Sequence, residues 1–271
     1  MKIYLTYKTV DKPWGGANNF LRSLKKELAE RHKVEFVDNT ADADIIFMNQ
    51  VSSGPENNSV PYTLSDIKKL KAKNAKARLI VRAVNLKSHG YPTGLLKYYL
   101  GDGWRADRNI LGILNIADFV IFQSEYQKSF FKKAGYRGSS CAVIHNGASR
   151  VFDSALPRPA INNDSDLVVL SSSVAKRGSK RHDLVAALSK LPRVRVFHAG
   201  GWPENVPSEK VTLSGVLDHE ALKTLMVQCH YLFHPASKDP CPNSLIEGLC
   251  SGLPVLFNPG EYKPVLIGWL L

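Results

Sequence analysis

Asp239-Pro240-Cys241-Pro242-Asn243-Ser244-Leu245-Ile246-Glu247-Gly248-Leu249-Cys250-Ser251-Gly252-Leu253-Pro254-Val255 is the stretch from which the rest of the chain can be read. It follows an apolar run at 231–234 that reads as a strand. A carboxylate comes first, in the loop. A helical pattern then spans 243–250, Gly252 stops it, and 254–257 reads as one more strand. Strand, loop, helix, glycine stop and strand make one parallel βαβ unit. Asn243 suits the N-cap position, so free backbone N–H groups near Ser244 and Leu245 would face the same space as the acids. A helix start of this kind favours an anion such as a diphosphate. Carboxylates beside it suit pairs of sugar hydroxyls, which donate two hydrogen bonds to one acid. A plainer reading fits the spacing equally well: Asp239 caps a loop, and Glu247 merely serves its helix.

Outward from this unit the same rhythm continues. Strands are expected at 2–7, 34–37, 45–48, 78–84, 119–123 and 142–145, with helices at 18–31, from 65, at 105–116 and at 124–134, the last stopped by Gly135. Residues 146–166 break the alternation with Gly147, Pro157, Pro159 and a polar run, as a linker would. It resumes with strands at 167–170 and 194–198 and helices at 183–191 and 219–229. Apolar strands alternating with helices indicate parallel sheets covered on both faces. We expect two α/β domains, 1–148 and 149–271, with ligand in a cleft where the carboxyl ends of the strands gather loops.

Composition narrows the function. Of 271 residues, 44% are apolar and 22% charged, which describes a soluble globular chain rather than a disordered one. Four cysteines are too few for a disulfide scaffold and suit a reducing compartment. No apolar run reaches the length of a membrane span, and the N-terminus lacks a leader pattern, so a cytoplasmic location is expected. The net charge of +12 is concentrated partly in Lys68, Lys69, Lys71, Lys73, Lys76 and Arg78, read as the wet face of a helix. No nucleic-acid motif accompanies it, so nucleic acid is not expected as a partner. Peripheral contact with an anionic membrane is compatible with the charge.

Taken in order, these residues resemble the retaining GT-B glycosyltransferases of family 4 (glycosyl transferases group 1). The family hallmark is two acids separated by seven residues, then a Gly-x-Pro-Val strand; Asp239, Glu247 and Gly252-Leu253-Pro254-Val255 match it. Gly15-Gly16 after the first strand, His145-Asn146-Gly147, Ser171-Ser172-Ser173 with Lys180, Gly215-Val216-Leu217 and Phe233-His234-Pro235 follow in the family's order. The resemblance implies two Rossmann-like domains with parallel sheets and transfer of a hexose-type sugar from a nucleotide diphosphate sugar to a hydroxyl acceptor, glycan-, lipid- or protein-linked. It implies that Asp239 contacts the transferred sugar and Glu247 the ribose. Lys180, with Arg177 or Lys176, would neutralise the diphosphate, with Asn243 and Ser244 at the helix start. Gly15 and Gly16 would admit phosphate or acceptor to the backbone, and Val216 and Leu217 would face the base. No essential metal or further cofactor is implied. Departures from the family pattern are Asp239 for the usual Glu, and Pro240 and Pro242 where glycines are usual. With the end at Leu271, they motivate an alternative: a non-catalytic protein of this fold that binds a sugar nucleotide or a partner.

Other candidates are weaker. Asp42-Ala43-Asp44 spells a metal motif but sits where acids commonly precede a buried strand. His89 is read as a surface loop histidine before a place near the reacting sugar, and Cys241 and Cys250 as buried thiols. The apolar tail at 265–271 is too short to span a bilayer.

Overall fold

The computed structural model describes residues 1–11, 15–49, 61–90, 95–153, 157–161 and 165–257. The tail at 265–271 lies outside them. The chain divides into two compact units, Met1–His145 and Asn146–Leu271.

The first unit is a six-stranded sheet in the order β2-β1-β3-β4-β5-β6. Its strands are β1 (Lys2–Leu5), β2 (Glu35–Val37), β3 (Ile45–Asn49), β4 (Arg78–Arg82), β5 (Phe119–Phe122) and β6 (Cys141–Val143). Every pairing is parallel. Helix α1 (Gly15–His32) covers one face, packing Leu21 with Ile3 and Phe47. On the other face α2 (Leu64–Lys73), α5 (Gly103–Ile116) and α6 (Glu125–Ala134) bring Ile67, Ile113 and Phe131 onto Leu79, Val120 and Phe122. Each such large side chain contributes about 1.5–3 kcal/mol through burial. The helix boundaries are locally encoded. Thr63 and Asp66 form a capping box on α2, Ser124 caps α6, and Gly135 ends α6 in the left-handed region.

Two differences from expectation arise here. Gly15 and Gly16 form the first turn of α1 rather than a loop preceding a later helix. The segment around His89 holds two short helices, α3 (Lys87–Gly90) and α4 (Leu95–Leu100). The buried Asp107 of α5 stabilises this segment by accepting the N–H groups of Lys87 and Ser88 and the hydroxyl of Tyr98. That carboxylate acts as a cap delivered from another helix, so no local pattern announces it.

The second unit is a five-stranded parallel sheet in the order β11-β10-β7-β8-β9. It comprises β7 (Leu167–Ser173), β8 (Val194–Gly200), β9 (Val211–Gly215), β10 (Tyr231–His234) and β11 (Val255–Phe257). Helices α7 (His182–Leu188), α8 (His219–Val227) and α9 (Asn243–Cys250) cover it. Leu222, Leu225 and Met226 of α8 meet Leu170 and Leu232, while Val185 of α7 meets Val196 and Val211. The linker expected at 146–166 needs correction at its start. Residues 150–152 form a tight turn that buries Phe152 completely among Leu170, Leu222 and Met226. A single aromatic in a polar stretch anchors that segment to the core. Among the described residues no helix is long and apolar enough to cross a membrane.

The strand order has a functional consequence. From β7 the chain moves outward to β8 and β9, then returns to β10 and β11 on the other side. The direction of winding reverses between β7 and β10. Loops leaving the carboxyl ends of those two strands diverge to opposite faces, and the gap between them is where ligands bind in open α/β sheets.

Candidate functional site

Lys180 and Asp239 follow the two strands that flank the reversal. Lys180 ends a short 3-10 turn, Gly178–Lys180, after β7; Asp239 lies in the loop after β10. The Ser237 N–H donates to the Ser179 carbonyl at 2.8 Å, tying the loops together. Lys180 Nζ then reaches Asp239 Oδ2 at 2.6 Å, with the side chains 23% and 20% exposed. Burial by itself raises the Asp239 carboxyl. The Lys180 ammonium, the field of His234 and the Cys241 N–H outweigh it and hold the group below its ordinary range. Pro240 and Pro242 have no N–H, so the intervening Cys241 supplies the backbone donor to Asp239.

The start of α9 departs from expectation. Pro242 is the N-cap, without a side-chain cap bond, and Asn243 is the first helical residue. Asn243 cannot cap because its Oδ1 accepts from Asn146 Nδ2 at 2.8 Å; the same amide donates to the Cys241 carbonyl at 2.9 Å. Asn146 therefore fixes the helix start from the far end of the unit's sequence. Ser244 Oγ lies 3.3 Å from Nδ1 of His234, the last residue of β10. Burial pushes His234 down to about 4, Asp239 opposing and Lys180 adding to the shift, so the imidazole is neutral at pH 7. Glu247 lies in the second turn of α9, within the opening turns that the sequence suggests. Burial lifts its carboxyl to about 7. Among the described residues it makes no hydrogen bond or ion pair, so a hydroxyl-bearing ligand would meet an acceptor with open lone pairs.

The remaining candidates are more dispersed. Arg177 is exposed at the head of the Lys180 turn, and its carbonyl accepts from the Lys180 N–H. Val216 is 53% exposed and Leu217 half-buried, in the turn from β9 to α8 that Gly215 opens at φ +68. Among the described residues, no side chain of the three bonds to the Lys180–Asp239 pair. Gly15 and Gly16 belong to the first unit. There His89 stacks on Phe130 at 3.9 Å and meets the Tyr126 hydroxyl at 2.9 Å, so it is a held side chain rather than a loose surface one. Asp44 accepts the backbone N–H of Lys2 at 2.7 Å, a strand-edge role, while Asp42 lies in a 3-10 turn. Cys241 is buried, and its sulfur accepts the Asn146 N–H.

Gly200 and Gly201, unremarked in the sequence, support the Lys180 loop from below. A Cβ on Gly200 would stand 2.0 Å from the Ser173 carbonyl oxygen, and Gly200 has φ +133. One on Gly201 would stand 2.6 Å from the Val174 carbonyl. The signal was a glycine pair at a strand end, where close backbone approach is a standard reason for glycine. Gly200→Ala should destabilise the chain by about 2–4 kcal/mol. A urea midpoint unchanged from wild type would contradict this packing.

No protein-family model matches the chain, and no curated protein sequence does. Solved structures do. HepE of Anabaena, solved with UDP and glucose, superposes with a TM-score of 0.63 at 19% identity, over 94% of this chain and 80% of that one. WaaG, a glycosyltransferase of lipopolysaccharide biosynthesis, gives 0.65 at 15% identity, over 95% and 80%. Sucrose-phosphate synthase of Thermosynechococcus elongatus gives 0.60 at 16%, over 94% and 80%. Identities this low speak to architecture. Together with two parallel sheets wound in the order described, they show that the chain has the α/β GT-B fold.

Proposed function

We propose that the chain is a retaining glycosyltransferase that moves a hexose-type sugar from a nucleotide diphosphate sugar to a hydroxyl acceptor, glycan-, lipid- or protein-linked. The observation that carries this reading is the Lys180–Asp239 pair at the winding reversal of the second sheet, followed on the next helix by a half-buried carboxylate, Glu247, whose side chain has no partner among the described residues. In this reading the diphosphate takes the Lys180 ammonium, with Arg177 near the same turn, and Asp239 turns to the hydroxyls of the sugar. Glu247 accepts the ribose hydroxyls, and the backbone at Val216 and Leu217 meets the base. Asn243 and Ser244 line the α9 start, while Gly15 and Gly16 serve phosphate or acceptor from the first unit.

The bond from the anomeric carbon to the diphosphate breaks, and the acceptor oxygen bonds to that carbon on the same face. The acceptor proton passes to a diphosphate oxygen. The work left to the protein is positioning and electrostatic stabilisation of the leaving group. No metal or further cofactor enters this scheme, and the reaction is placed in the cytoplasm, with anionic membrane contact where the acceptor is lipid-linked.

Calorimetric titration with UDP, GDP, ADP and their sugar conjugates in EDTA tests the reading. UDP is the first probe, since it is the nucleotide bound in HepE. Saturable binding of one nucleotide that survives EDTA, with sugar release or transfer, is the expected result. Binding without turnover on any acceptor or water would favour the non-catalytic alternative. A folded sample that binds none would overturn both.

A further inference from the structure

The second unit carries another concentration of charge, at the opposite ends of its strands from Lys180 and Asp239. A pocket of about 610 Å³ lies at the amino ends of β8 and β9, its rim formed by Lys190, Pro192, Arg193, Arg195, Glu209 and Lys210. Four cations face one carboxylate. Among the described residues, none of the four makes an ion pair, with Glu209 or with any other acid. Like charges gathered without neutralisation repel one another, so the arrangement favours an incoming anion.

Two of the cations are partly ordered already. Arg193 donates from Nη2 to the Ser165 carbonyl at 3.0 Å, which fixes the guanidinium while leaving other N–H groups open. Arg195 lies over the Phe197 ring at 5.9 Å, on the same side of β8 by strand alternation. Lys190 approaches from the end of α7 and Lys210 from the turn before β9, so the charges come from three separate segments. Guanidinium forks pair with phosphate oxygens two at a time, and lysines add point charges. The volume falls in the range of small-molecule sites and exceeds what one phosphate would fill.

We propose that this pocket binds a small solute carrying two or more linked phosphate groups, at a site separate from the one that holds the donor. The inference is independent of the proposed transfer reaction, because it uses none of the residues assigned to it.

The test is calorimetric titration with inorganic triphosphate at low and moderate salt, with inorganic phosphate as the single-charge control. Wild type, the Arg193→Gln/Arg195→Gln/Lys210→Gln variant and Lys180→Met are compared. The substitutions in the triple variant are at exposed positions, and its urea midpoint is checked alongside. Expected are saturable triphosphate binding weakened by salt, at least tenfold weaker phosphate binding, and a tenfold or greater loss in the triple variant. Lys180→Met should retain this binding, and the triple variant should bind donor nucleotide as wild type does. Equal triphosphate affinity in wild type and triple variant would overturn the proposal. So would loss of all triphosphate binding in Lys180→Met. Cosedimentation with phosphatidic-acid vesicles that depends on these arginines, without triphosphate binding, would also overturn it and assign the surface to a membrane.

Discussion

Lys180→Met is expected to lower turnover by about 100- to 1000-fold, the usual effect of removing one group that stabilises charge on a leaving oxygen. The methionine keeps most of the stem and loses the ammonium. The same change leaves Asp239 partly buried beside the neutral His234, without the ion that holds its carboxyl down. In the wild type the folded pKa of Asp239 is depressed. Its contribution to stability is therefore present above the ordinary carboxyl pKa and is lost as pH falls through the lower folded value. With Lys180 gone, burial, already the largest single influence, loses its main opposition and the carboxyl rises. The sign then reverses, and Lys180→Met should lose stability as pH increases. At pH 7 a loss of about 1–3 kcal/mol is expected, less than for a fully buried pair because each side chain keeps about a fifth of its exposure. Asp239→Asn added to Lys180→Met should recover part of that stability and none of the turnover. Urea unfolding and initial rates on Lys180→Met, Asp239→Asn and the double variant measure both effects. Strictly additive stability changes would show that the pair is uncoupled, and an unchanged rate in Lys180→Met would remove it from the mechanism.

The limits of the sequence are visible in this same pair. That both sheets are parallel was legible from the continuous apolar runs that became β3, β5, β7 and β10, because strands buried on both faces leave little room for polar residues. The edge strand β9 was not legible, since only Val211 in it is buried and the remainder shows no clean alternation. Lys180 and Asp239 could each be suspected of binding something. Their contact joins positions 59 residues apart and depends on β10 returning to lie beside β7, a fact of strand order that no local pattern contains. The same holds for Asn243, which has the chemistry of an N-cap but is diverted by Asn146, 97 residues away. Phe152 misled in the opposite direction. Its polar, proline-rich surroundings read as a linker, while one ring was enough to bind the segment into the core. Local preference was a sound guide where the cause was also local, as at Gly135, read as a helix stop and found ending α6, and failed where the partner came from another element.

Glu247→Gln should make the ligand-free protein more stable at alkaline pH and bind donor nucleotide more weakly, and the two effects have one cause. Burial has lifted this carboxyl from 4.5 to about 7 without supplying a partner. A folded pKa above the unfolded one means that the unfolded chain ionises first. Stability is thus full below about pH 4.5, declines as pH rises towards 7, and carries the whole penalty above it. Glutamine cannot ionise, so its curve should be flat over that window. The two proteins should match near pH 4 and differ by on the order of 1–3 kcal/mol near pH 8, the variant being the more stable. Ligand hydroxyls reverse the balance, because hydrogen bonds donated to the carboxylate stabilise its charged form. Donor affinity in the wild type should rise with pH through 7, with proton release that calorimetry detects as a dependence on buffer ionisation enthalpy. In Glu247→Gln the affinity should be about 10- to 100-fold lower, the worth of hydrogen bonds to a charged acceptor, and independent of pH. A variant that gained alkaline stability yet kept wild-type affinity would leave Glu247 a buried acid with no ligand to receive. Loss of affinity without any change in the stability profile would mean instead that the carboxylate is well solvated before the nucleotide arrives.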